Sequence, residues 1–248
     1  MTDIQICRNS EDLYQQAATL FVRFVGNAMS ARGRFIVALS GGSTPRGVYR
    51  LLAKPPLRER VPWPGVHLFW GDERCIPPTH RESNYRMAEE TLISRIPIPG
   101  QNVHRVPAEQ APHQAACAYE QTIRETFSLT GEALPCFDLI FLGMGPDGHT
   151  ASLFPGTAGL QENRRLVIAH CVKKLKDWRV TFTPMVLNHA AHVIFLVSGA
   201  DKAATLREVI RGLYQPDQLP AQLIRPANGT LLWLVDEDAA SLLHTRTP

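Results

Sequence analysis

The sequence predicts an α/β fold of Rossmann-like type: a mainly parallel sheet flanked by helices, with residues 1–248 forming a single domain. Three observations lead there. Short apolar runs alternate with helical patterns along the chain. Several of those runs are continuously apolar, as strands covered on both faces are. Proline clusters such as Pro55-Pro56 and Pro77-Pro78 punctuate connections without any long linker, and no repeat is visible.

In order, a helix is predicted from Ser10 to Ser30 with Ser10 as N-cap, then a strand from Phe35 to Leu39. A helix from Pro45 to Ala53 follows, with Pro45 in its first turn, and then a strand from Val66 to Trp70. Helices at Glu82 to Ile93 and Ala111 to Leu129 precede strands at Phe137 to Leu142 and Leu166 to His170. Pro184 to Ala190 reads as helix, His192 to Val197 as strand, Asp201 to Arg211 as helix capped by Asp201, and Leu231 to Val235 as strand.

Composition narrows the function classes. Hydrophobic residues at 44% and charged residues at 20% exclude disorder as the main state. A net charge of +3, evenly spread, argues against nucleic acid and suits a small anionic substrate. The five cysteines form no Cys-x-x-Cys pair, so buried or half-buried free thiols in a reducing compartment are expected. Met1-Thr2-Asp3-Ile4 shows no export signal, and no apolar stretch approaches the roughly 20 residues that span a bilayer, so a cytoplasmic protein without membrane contact is expected.

In open α/β sheets, ligands sit beyond the carboxyl ends of strands. Three loops there carry chemistry. Ser40-Gly41-Gly42-Ser43-Thr44-Pro45 offers close backbone approach, hydroxyls and a helix start, which suits a phosphate. It lacks the Gly-Lys-Ser/Thr of a Walker loop, and with alanine at position 38 it is no Gly-x-Ser-x-Gly nucleophile elbow. Gly71-Asp72-Glu73-Arg74 sets a cation just past a strand, where Arg74 could meet an oxyanion or a phosphate; a solvated turn with local ion pairs is the plainer alternative. Gly143 to Ser152 matches Gly-x-Gly-x-x-Gly, yet Pro155-Gly156 interrupts the helix that a dinucleotide site needs, and Leu166 to His170 ends without a ribose-binding carboxylate. His149, expected where a helix begins, suits general base chemistry on water, with Asp147 orienting or polarising it.

Taken together, these loops resemble the 6-phosphogluconolactonase family, within the larger group that includes glucosamine-6-phosphate deaminases. The matching stretches are Ala38 to Pro45, Gly71 to Arg74 with Ser83-Asn84, Gly143 to Pro155, Trp178 to Thr183, and Ser198 to Ala203. The resemblance implies hydrolysis of 6-phosphoglucono-1,5-lactone in the oxidative pentose phosphate pathway, with no metal or organic cofactor. It implies that His149 is the general base and Arg74 the cation near the carbonyl or phosphate. Ser43 and Thr44, the Ser40-Gly41-Gly42 backbone, Arg179 and Lys202 would hold the phosphate. The partner is then a small phosphorylated sugar lactone, and the protein a monomer or homodimer. The related deaminases resemble one another in a Phe-Asn-Glu run after the histidine; here Leu153-Phe154-Pro155 supplies no carboxylate, which favours the lactonase.

Overall fold

In the computed structural model, which describes residues 2–172 and 177–243, two sheets carry the chain. The larger has six strands in the order β1 (Thr2–Cys7), β9 (Thr230–Asp236), β8 (His192–Val197), β5 (Leu139–Leu142), β2 (Phe35–Leu39) and β3 (Val66–Trp70). Every pairing in it is parallel. β2 and β5, which read FIVAL and LIFL, are buried at every position, as central strands with helices on both faces must be. The chain winds from β2 to β3 in one direction and from β5 through β8 to β9 in the other. The loops leaving β2 and β5 therefore part at a switch point and open a crevice.

The smaller sheet is antiparallel, in the order β4 (Asp72–Arg74), β7 (Asp177–Phe182), β6 (Val167–Val172). The apolar run from Leu166 thus belongs to a separate sheet and not to the parallel one. β1, β4 and β7 were not expected. β1 is a short terminal edge strand, and β4 is wholly charged and exists because β7 pairs with it, so tertiary pairing overrides propensity. Val180 and Phe182 of β7 join the same apolar cluster as Phe141 and Phe195 of the large sheet.

Helix α1 (Ser10–Arg32) buries Leu13, Ala17, Phe21, Val25 and Ala28 along one stripe and ends at Gly33, in the left-handed region at φ 69°. Its cap is Asn9 and not Ser10: the Asn9 side chain accepts the Asp12 N–H at 2.9 Å. The remaining helices are α2 (Ser43–Leu52), α3 (Asn84–Thr91), α4 (Pro112–Thr126), α5 (Pro184–Asn188), α6 (Ala203–Arg211) and α7 (Glu237–Ala240). Asp201 does not cap α6; it lies in a 3-10 turn, Ala200–Lys202, with its carboxylate 3.0 Å from Lys202 Nζ. The five thiols are free, but Cys117, Cys136 and Cys171 are exposed, against the expectation of burial. No described helix is long and apolar enough to cross a membrane.

Candidate active site

The loop from β2 turns onto α2 through Gly42, whose φ of 103° favours glycine. A Cβ at Gly41 would fall on the Asn84 side-chain amide. Ser40 is clamped from both sides of its backbone by the buried Tyr49 hydroxyl, which accepts the Ser40 N–H at 2.9 Å and donates to the Ser40 carbonyl at 2.8 Å. Tyr49 sits on α2, so the helix fixes its own entry loop. No side chain caps the first turn of α2, which leaves its N–H groups available to an anion.

β4 sorts its three charges by strand alternation. Glu73 points one way and Asp72 and Arg74 the other, into the crevice. The Glu73 carboxylate is buried and accepts the N–H groups of Arg74 (2.9 Å), Asn84 (2.8 Å) and Tyr85 (2.8 Å) and the Ser83 hydroxyl (2.9 Å). Burial raises its pKa and those four bonds pull it down, so Glu73 serves to tie β4 to the first turn of α3. Asp72, also buried, accepts the Ser152 hydroxyl at 2.6 Å through Oδ2, and its carbonyl accepts Asn84 Nδ2 at 2.9 Å. Arg74 donates through Nη1 to the Glu82 carbonyl, while its buried Nε has no hydrogen-bond partner. Arg179 faces Arg74 across the β4–β7 register and reaches Asp177 Oδ2 at 3.1 Å. Burial, with the Arg74 charge beside it, holds its pKa below the ordinary arginine value.

After β5, the chain makes a turn at Pro146–Gly148 and no helix follows, so His149 does not begin one. Its position comes instead from contacts on all sides. Nδ1 lies 2.5 Å from Asp147 Oδ1, and the ring stacks on Phe154 with centroids 4.1 Å apart. Gly145 donates its N–H to the His149 carbonyl at 2.9 Å, and a Cβ there would collide with the imidazole. The glycines of this loop thus make room for a side chain of the protein itself. Partial burial raises the Asp147 pKa, but hydrogen bonds and charge from His149 outweigh that and hold it below the usual carboxylate value. Ala151 carries a positive φ of 47°, a strained conformation beside the site.

These segments enclose a cavity of about 340 Å³. Ser40, Gly41, Gly42, Ser43 and Thr44 form one wall, Asp72 and Arg74 a second, His149 a third, and Lys202, from the turn after β8, closes the rim. Asp147 stands behind His149, and Arg179 behind Arg74, outside the cavity wall. Asp72, Asn84 and Ser152 lie in stretches already quoted from the sequence, but sequence reasoning assigned them no role. Strand alternation through residues 72–74 would have grouped Asp72 with Arg74, whereas nothing in the sequence points to Ser152. Among the described residues, no group of three or more His, Cys, Asp and Glu side chains is clustered as metal ligands.

Comparison with known proteins identifies the family. Residues 8–233 match the family model described as glucosamine-6-phosphate isomerases/6-phosphogluconolactonase. The chain is 39% identical over 242 residues to the 6-phosphogluconolactonase of Synechocystis sp., covering 97% of this chain and 98% of the relative. It is 36% identical over 209 residues to that of Haemophilus influenzae, with 84% and 87% covered. The solved structure of 6-phosphogluconolactonase from Trypanosoma cruzi superposes with a TM-score of 0.85 at 30% identity, covering 99% of this chain and 98% of that one. A histidine and a cation at the rim of a phosphate-ready loop, on this fold and with these relatives, have one conclusion: the chain belongs to the glucosamine-6-phosphate isomerase/6-phosphogluconolactonase family.

Proposed function

We propose that this protein hydrolyses 6-phospho-D-glucono-1,5-lactone to 6-phospho-D-gluconate. The observation that carries the reading is His149 on the wall of a cavity shared with Arg74, Lys202 and the start of α2, with Nδ1 held by Asp147. A carboxylate only accepts hydrogen bonds, so it fixes the proton on Nδ1 and leaves Nε2 to take one from water. The substrate phosphate is held by the first-turn N–H groups of α2, the Ser43 and Thr44 hydroxyls and Lys202, with Arg179 adding positive charge from behind Arg74.

In the reaction, water loses a proton to Nε2 as its oxygen attacks the lactone carbonyl carbon. The carbonyl oxygen becomes an oxyanion beside Arg74, whose side chain lines the cavity. Collapse breaks the bond to the ring oxygen, which takes the proton from the imidazolium and leaves an acid and a free hydroxyl. General base catalysis contributes about 100- to 10,000-fold and an oxyanion donor a comparable amount, enough for a reactive ester without a covalent intermediate.

The same reading takes the protein as a cytoplasmic enzyme of one domain, monomer or homodimer, whose partner is the small lactone and not a nucleic acid. Free thiols and a continuous apolar core support it. Phe154, stacked on His149, belongs to the Leu153-Phe154-Pro155 run, which carries no carboxylate for the extra proton transfers of an amino-sugar deaminase. The test is a coupled assay with freshly generated lactone: His149→Ala is expected to lower kcat at least about 100-fold with its circular dichroism unchanged. Near-normal turnover removes His149 from the mechanism, and ammonia release from glucosamine 6-phosphate transfers the site to the deaminase chemistry.

A further inference from the structure

Arg46 and Arg50 on α2, and Lys54 just past its end, follow one another at steps of four residues and so share one face of the helix. They line a concavity of about 350 Å³ whose opposite side is formed by Glu90, Thr91 and Arg95, at and just beyond the end of α3. None of these residues belongs to the cavity of His149.

Such a row of like charges is destabilising by itself, and elsewhere the chain interleaves its arginines with carboxylates. Arg124 meets Glu120 at 3.0 Å, and Arg105 meets Glu109 at 2.7 Å. Here, among the described residues, no ion pair involves Arg46, Arg50, Lys54 or Arg95. Glu90, the single carboxylate on the wall, is engaged by Arg86 Nε at 2.6 Å. The dipole of α2 favours a cation in its last turn, which accounts for Arg50 but not for Arg46 near the opposite end. Arg95 is anchored through Nε to the Glu90 carbonyl at 3.1 Å, so its guanidinium is ordered before any ligand arrives.

We propose that this concavity is a second anion site, for a small ligand carrying two or more phosphoryl groups. Its volume suits a small molecule, and four cations around it exceed what one phosphate needs. Its wall holds no aromatic ring on which a base would stack, which sets it apart from a single-strand nucleic-acid groove.

The test is calorimetric titration of inorganic pyrophosphate into the full chain. The Arg50→Gln/Lys54→Gln variant is expected to lose one class of pyrophosphate site, with affinity there falling about tenfold or more, while lactone hydrolysis without pyrophosphate is unchanged. Glu90→Gln, which removes the wall's one negative charge, is expected to tighten that site about two- to fivefold, and it decides the matter should the double variant fail to fold. Identical pyrophosphate isotherms for the native chain and either variant overturn the proposal. So does tighter binding of an oligoglutamate peptide in competition at the same residues, which makes the surface a protein-docking face.

Discussion

At the scale of single residues, the strongest constraint is one imidazole held by a neighbouring carboxylate, with a cation waiting opposite. Lys202 is the rim charge most open to test. In Lys202→Ala, KM for the lactone is expected to rise about 10- to 100-fold with a smaller change in kcat, the loss of one charge-assisted hydrogen bond; an unchanged KM contradicts its phosphate role. Acid behaviour draws on four histidines depressed by burial, His67, His104, His170 and His192, of which the first two form a pair. His67 Nδ1 and His104 Nε2 are 3.1 Å apart, and burial depresses both, His104 to about 4. The unfolded chain binds protons there first, near pH ~6.5, so stability is whole above that value and declines as pH falls toward about 4. His104→Phe keeps a ring against Phe69 and is expected to make that decline shallower, read from urea midpoints between pH 7 and 4. The gathering of Gly42, Ser43 and His149 around one cavity was legible in the sequence, because chemistry and backbone cues coincide there. Asp72 and Ser152 were not, since their hydrogen bond joins positions eighty residues apart.

At the scale of elements, α2 and β4 each place one face in the crevice and fasten themselves with the other. Tyr49 does this for α2. Tyr49→Phe strips partners from the N–H and carbonyl of buried Ser40 and is expected to cost about 1–3 kcal/mol of stability. On the proposed phosphate site, that loop meets the substrate, so KM should rise more than kcat falls; equal kinetics with lowered stability would confine Tyr49 to folding. The strands at Phe35–Leu39, Val66–Trp70 and His192–Val197 were readable to the residue, because their apolar runs are bounded by turns. β4 was not, as three charged residues carry no strand pattern. The start of α1 shifted by one residue because Asn9 and Ser10 are both good caps and only the turn geometry chooses between them.

At the scale of the whole molecule, one apolar cluster runs through both sheets, so calorimetry is expected to show one unfolding transition. A separate early transition for β4, β6 and β7 would divide the chain instead. What the sequence could not show is how β1 and β9 meet. β1 pairs along its length with β9, from Thr2 opposite Leu231 to Cys7 opposite Asp236. Strand formation there must close a loop through every other strand of both sheets, the slowest kind of contact to find. During synthesis, β1 leaves the ribosome long before β9 and waits for it before its backbone is matched. Until then that edge stays open to chaperones, or to the same segment of another nascent chain.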